Sequence, residues 1–415
     1  MKRLLISSCF IWMLLPLFWF SGCQTGSTAA SPSLSAPEKV TGTALAGLNG
    51  TTDTQSDERT LALRQLIKEF VDNKEIVGAS LLLAQHGRVQ FREGFGLADL
   101  HSGKPFTVDT GVLIASSTKP ISATCVMMLV EEGRISLDDK VSKYLPAFDH
   151  LELEGKGGPV ESPTIRQLLS HTSGLYGLKG ATKTGMKAVR DLTLSLTESV
   201  AIIAGEKLTA IPGSEFNYGG ANFQVAARIV EIVSGQPFDL FMQQRLLNPL
   251  ELRETYFKPP PERDFSGTAT VYMAHPLKGL IPLRIFAPDP QRKLVLASGG
   301  LYSSLNDLAV FLQMHLNDGS YQGTRILNES SIAEMQKKQT GTLKTAYGLG
   351  WFINKVDSSG RSVSVSHPGL FGALIWMDRE RDLVGVFLTT SIWDGHLEFR
   401  KQLMAKVAEL FPVRT

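Results

Sequence analysis

Strand-like runs lie near the two ends of this chain and enclose a long, mostly helical middle. Residues 78–85 and 89–94 are rich in apolar residues and are separated by His86-Gly87-Arg88, which reads as a hairpin. Near the C-terminus, residues 362–366, 370–378 and 383–390 again read as strands, with Arg379-Glu380-Arg381-Asp382 as a polar turn. Leu61, Leu63, Leu66, Ile67, Phe70 and Val71 recur at helical spacing before the first strand, and a last helix is expected over residues 397–410. Strands so far apart in the chain share a core most simply in one sheet. The expected fold is therefore α+β: an antiparallel sheet flanked by N- and C-terminal helices, with an inserted helical lobe over about residues 125–295. A cleft between sheet and lobe is a natural ligand site. Residues 258–293, with Pro259-Pro260-Pro261, are poorly patterned and read as a long surface loop.

The chain has 415 residues, more than one ordinary core, so either two domains or two lobes sharing a cleft are expected. With 43% hydrophobic and 20% charged residues it is globular, and a net charge of +2 without blocks of like charge argues against a nucleic-acid partner. Met1-Lys2-Arg3 followed by the apolar residues 4–20 reads as a targeting segment over residues 1–22. Phe20-Ser21-Gly22-Cys23 resembles the bacterial lipoprotein box, in which the cysteine is lipidated; an ordinary signal peptide or an uncleaved anchor is the alternative. Residues 24–56, rich in Ser, Thr, Ala and Gly, read as a flexible tether, so the folded region starts near residue 58. The expectation is an exported, membrane-anchored protein of the cell envelope. Of three cysteines, Cys9 leaves with the leader and Cys23 carries lipid, which leaves Cys125 as a small buried hydrophobe without a disulfide partner.

Ser116-Ser117-Thr118-Lys119-Pro120 opens an apolar run containing Ile121, Cys125, Val126, Met128, Leu129 and Val130 and closed by Gly133. Residues three apart share a helix face, which places the Lys119 amine beside the Ser116 hydroxyl. Burial and the positive end of a helix both lower a lysine pKa and fit it to accept a proton. An S-x-x-K occurs here once, whereas composition alone predicts roughly two in such a chain, so it is weak by itself. A second segment, Asn217-Tyr218-Gly219-Gly220-Ala221-Asn222, runs into another helix and offers Tyr218 to the cleft. The eight histidines show no ligand pairing, so no metal and no cofactor are expected.

In order along the chain, Gly94-Phe95-Gly96-Leu97-Ala98-Asp99, Leu168-Leu169-Ser170-His171-Thr172-Ser173-Gly174-Leu175, Asn248-Pro249-Leu250, Gly299-Gly300-Leu301-Tyr302-Ser303 and Tyr347-Gly348-Leu349-Gly350-Trp351 surround these two motifs. Together they resemble the serine β-lactamase and penicillin-binding superfamily, in its branch of class C-like β-lactamases, D,D-peptidases and family VIII esterases, over about residues 59–410. The resemblance implies a β-lactamase/transpeptidase-like fold and a serine hydrolase working through an acyl-enzyme. It makes Ser116 the nucleophile and Lys119 with Tyr218 the proton carriers. His367-Pro368-Gly369 matches the third family motif. His367 would then supply a hydrogen bond or partial positive charge, Gly369 would admit substrate to the strand, and the N–H groups of Ser116 and Leu370 would form the oxyanion hole. Lys183-Thr184-Gly185 falls before Tyr218 and is a chance match, and His171 belongs to a structural turn.

Two departures bear on substrate. The usual Y-x-N reads Tyr218-Gly219-Gly220, which removes a side-chain amide, and Pro368 offers no hydroxyl or N–H to a carboxylate. β-Lactams and D-Ala-D-Ala peptides present an amide and a carboxylate, whereas a simple ester needs chiefly nucleophile, base and oxyanion hole. The expected partner is a small-molecule or peptide acyl donor, with esterase-like activity first and D,D-carboxypeptidase or weak β-lactamase activity second. A non-catalytic cell-envelope binding module is the alternative of another class. An α/β-hydrolase is disfavoured by the absence of a G-x-S-x-G elbow. Oligomeric state is not legible.

Overall fold

The computed structural model describes residues 58–155, 159–259, 267–275, 279–392 and 395–413. The leader, Cys23 and the tether lie outside them. Helix α1 (Glu58–Asp72) leads into strand β1 (Gly78–Gln85), which pairs antiparallel with β2 (Arg88–Asp99) across the tight turn His86-Gly87. Both turn residues have positive φ, +53° and +66°, the geometry that matches the twist of a two-residue hairpin. The short β3 (Lys104–Pro105) completes this end of the sheet. The other end comes from β4 (Phe352–Val356), β5 (Ser362–Pro368), β6 (Leu374–Asp378) and β7 (Leu383–Thr389), giving the order β4-β5-β6-β7-β1-β2-β3. The first and last quarters of the chain meet where β1 pairs antiparallel with β7, Ala79 opposite Thr389 through Gln85 opposite Leu383.

Strand β1 is buried along its length up to Ala84, because both faces of the sheet are covered. Leu81 and Leu83 join Phe91, Trp376 and Phe387 under α1 and the last helix, through Leu63, Ile67, Phe399, Leu403 and Val407. Leu82 and Ala84, pointing the other way, join the larger core with Val386 and Leu388. Gly385 is required opposite Trp376 in the antiparallel pair β6-β7, since a Cβ there would stand 2.0 Å from the Trp376 ring.

Between β3 and β4 the chain is mostly helical. Helix α2 (Thr118–Glu131) is buried over nearly all its length and packs against α3 (Ala221–Ser234), and α4 (Leu305–Leu316) covers the sheet. Cys125 is fully buried in α2, with its thiol pKa pushed well up by desolvation, so it acts as the small hydrophobe expected. All described residues fall in one compact unit. Two readings need correction. The stretch expected as a long surface loop contains two short strands, Tyr272–His275 and Gly279–Pro282, which pair with each other, the first also pairing with Ser391–Ile392. The strand expected from Leu370 starts at Leu374, because Gly369 N–H donates to Ala373 O at 2.7 Å and closes a tight turn.

Candidate active site

The strand Val112–Leu113 pairs with Tyr302–Ser303 and delivers the chain to Ala115, whose φ is +47°. A residue with a Cβ pays roughly 1–2 kcal/mol for that conformation. It turns the chain so that Ser116 sits, half-buried, on a 3-10 turn immediately before α2. Ser117 anchors the turn to the sheet: its Oγ donates to the His367 carbonyl at 3.0 Å. From the first turn of α2, Lys119 Nζ lies 3.2 Å from Ser116 Oγ and donates to Ser298 O at 2.8 Å.

Lys119 is 2% exposed, and among the described residues no carboxylate pairs with it. Burial alone therefore lowers its pKa to about 7. With one N–H held by Ser298 O, the neutral amine has its lone pair free for the Ser116 hydroxyl. The carbonyl is itself held in place: Gln224 receives Ala297 N–H at 2.7 Å and donates to Val295 O at 3.2 Å, while Ser122 Oγ donates to Ala297 O at 2.7 Å.

Tyr218 precedes α3. Leu178 N–H donates to its carbonyl at 2.8 Å, and the two chain segments approach closely because Gly177 and Gly219 face each other. A Cβ on either would stand 2.4 Å from the opposing backbone. The Tyr218 ring lies 4.6 Å from Lys119 Nζ and 4.5 Å from the His171 ring. Burial raises its pKa far above the ordinary phenol value, and the Ser116 hydroxyl acts in the opposite sense, so the phenol stays protonated and in contact with the nucleophile.

His367 is fully buried on β5. Its Nδ1 is 3.0 Å from Pro368 O, which only accepts, so Nδ1 carries the proton and Nε2 accepts from Tyr347 Oη at 3.0 Å. Desolvation and the Lys119 charge hold its pKa well below 6.5. Both ring nitrogens of His367 are committed within the protein, Nδ1 to Pro368 O and Nε2 to Tyr347 Oη. At Gly369 a Cβ would stand 2.4 Å from Ile114 O, so the group this glycine admits is the nucleophile's own loop. Among the described residues neither the Ser116 N–H nor the Leu370 N–H has a hydrogen-bond acceptor.

His171, with φ +58°, is buried, neutral and packed among Phe216, Tyr218, Phe223 and Tyr347, and its Nδ1 is 3.3 Å from Asn222 Nδ2. Lys183-Thr184-Gly185 lies in the helix Lys183–Ala188, in the inserted lobe and not on the sheet. Among the described residues no cluster of three His, Cys, Asp or Glu side chains could hold a metal.

The Beta-lactamase family model matches residues 63–408. The chain belongs to the Beta-lactamase family. It is 28% identical to esterase EstB of Burkholderia gladioli over 383 residues, covering 82% of this chain and 93% of that one. Among solved structures it is similar to EstCE1, described as a hydrolase with promiscuous acyltransferase activity (TM-score 0.72, 25% identity, 86% of this chain and 98% of that one). It is also similar to the octameric penicillin-binding protein homologue of Pyrococcus abyssi (TM-score 0.67, 27% identity, 84% and 77%). Within this Beta-lactamase-family fold, Ser298 and Gln224 escaped the sequence reading, and Tyr347 entered it only as part of the Tyr347-Gly348-Leu349-Gly350-Trp351 segment, without its contact to His367. They act through a backbone carbonyl or on another side chain, and no motif spacing announces that. The space opposite Gly220 is also filled: a Cβ there would meet Ser298 Oγ at 3.0 Å and Val189 Cγ1 at 3.3 Å.

Proposed function

We propose that this chain is a serine hydrolase that takes esters through a Ser116 acyl-enzyme. The observation that carries the reading is Lys119 Nζ, buried, without a counter-ion and 3.2 Å from Ser116 Oγ. Neutral Lys119 accepts the Ser116 proton as Oγ bonds to the ester carbonyl carbon. The N–H groups of Ser116 and Leu370 receive the oxyanion. As the tetrahedral adduct collapses, the C–O bond to the alcohol breaks and the proton passes from Lys119, through the adjacent Tyr218 phenol, to the leaving oxygen. Water then attacks the acyl-enzyme, giving its proton to Lys119, and Ser116 leaves with a proton returned.

The committed nitrogens of His367, the donor-free Pro368 and the filled space opposite Gly220 leave few groups for a substrate amide or carboxylate, which supports an ester over a peptide or β-lactam. Similarity to EstB and EstCE1 supports the same choice, and similarity to a penicillin-binding protein homologue keeps D,D-carboxypeptidase activity as the second reading. Export on a lipidated Cys23, with residues 58–415 as the hydrolase domain on a tether, is part of this proposal and rests on the sequence. No helix among the described residues is long and apolar enough to cross a membrane. The test is turnover of p-nitrophenyl butyrate against a D-Ala-D-Ala peptide and a penicillin, each with Ser116→Ala. Ser116-dependent turnover of the ester alone supports the assignment; turnover of the peptide alone replaces it with the second reading, and none with folded protein leaves a binding module.

A further inference from the structure

The last helix, α5 (His396–Leu410), packs on the outer face of the sheet. Its Phe399 is fully buried against Phe70 and Phe387, which fixes the helix on the sheet. The next residue, Arg400, reaches the turn that ends β5. Its Nη2 donates to Gly369 O at 3.1 Å and lies 3.4 Å from Ala373 O. Its Nε is buried without a partner, and among the described residues no carboxylate pairs with it. A largely desolvated cation without a counter-ion is costly to keep. What it holds here is two backbone carbonyls of one short turn.

Gly369 C=O and Leu370 N–H belong to one planar trans peptide and point in opposite directions. A guanidinium on that oxygen therefore fixes the plane of the peptide and draws electron density from its nitrogen, which strengthens the N–H as a donor. On the other side, Gly369 packs against Ile114 O and Ser117 Oγ holds the His367 carbonyl, so the turn is clamped between Arg400 and the nucleophile loop. We propose that Arg400 is a positioning residue for acylation, aiming and polarising the Leu370 N–H through the Gly369 carbonyl. This rests on the reading of Ser116 as nucleophile and Leu370 as oxyanion donor. Because the gain arises when negative charge develops on the substrate oxygen, it belongs to kcat and not to KM.

The test uses the full chain in detergent with p-nitrophenyl butyrate carrying a 13C-labelled carbonyl. Steady-state constants and the infrared C=O stretch of the acyl-enzyme are measured for the native chain, Arg400→Met and Arg400→Lys. Arg400→Met is expected to lower kcat about tenfold or more with KM within about threefold, part of the effect of deleting an oxyanion donor. Its acyl C=O stretch is expected at higher frequency, with Arg400→Lys intermediate on both measures. An unchanged stretch in both variants, or a rise in KM at constant kcat, would overturn the proposal. Should Arg400→Met not fold, the Arg400→Lys stretch decides: unchanged, the proposal falls. A native chain forming no Ser116-dependent acyl-enzyme refutes the site reading itself, an outcome visible before any Arg400 variant is compared.

Discussion

Replacing Lys119 by Met is expected to abolish turnover while stabilising the protein, and by more at low pH than at high pH. The native amine has a pKa near 7, against an ordinary 10.5 in the unfolded chain. Between those values the unfolded chain binds one proton more than the native, so this group makes stability rise with pH through that window; below pH 7 the full cost of burying the charge is felt. At 1.36 kcal/mol per pKa unit the cost is about 5 kcal/mol at pH 5 and about 2 kcal/mol at pH 9. Methionine is of similar length and avoids that cost, but forfeits the hydrogen bonds to Ser116 Oγ and Ser298 O, together about 2 kcal/mol. The variant should then be about 3 kcal/mol more stable than native at pH 5 and about equal at pH 9. Urea unfolding of both proteins at several pH values between 5 and 9 measures the difference, in which other titrating groups cancel. A difference that does not change with pH would refute the claim that the native state holds Lys119 as a depressed, proton-accepting amine.

The same pKa predicts that kcat/KM for an ester rises with pH through a single ionisation near 7; a limb centred below 5 would assign the base elsewhere. Gly369→Ala drives a Cβ to within 2.4 Å of Ile114 O, so ester turnover should fall at least tenfold, read by steady-state kinetics, while far-UV circular dichroism stays native. Tyr347→Phe leaves His367 Nε2 buried without its donor and should cost about 1–3 kcal/mol in urea unfolding. Gly220→Asn with Pro368→Thr, combined with Ser298→Ala to clear the contact at 3.0 Å, should raise acylation by a penicillin relative to a short ester; an unchanged ratio would sink the argument from the missing amide and hydroxyl.

Five of the seven strands were legible because each carries its own local signal: the two-residue turn at His86-Gly87, the polar turn before Leu383, and apolar runs too short for helices; Lys104–Pro105, only two residues long, and the largely exposed edge strand Phe352–Val356 carry no such signal. Ser116 and Lys119 were legible because one helical turn joins them, and Tyr218 because glycines and a helix start mark its place. The resemblance to a known family supplied His367 and Gly369, but not their surroundings. That His367 gives both nitrogens to Tyr347 and Pro368, and that Gly369 makes room for Ile114, are facts of packing between segments far apart in sequence. Arg400 was illegible for the same reason. It reads as one more charge on an amphipathic helix until the fold sets it against the Gly369 carbonyl. The strand placed too early, at Leu370, failed because a backbone hydrogen bond from Gly369 to Ala373 overrides the apolar pattern of the intervening residues.

The central claim is that Ser116 carries the acyl group. Intact mass of the full chain after incubation with p-nitrophenyl butyrate, beside Ser116→Ala treated identically, tests it most directly. The account predicts a butyryl adduct on the native chain, or its turnover with release of p-nitrophenol, and neither on the variant. An adduct that persists in Ser116→Ala, or a folded native chain that neither labels nor turns over the ester, would contradict it.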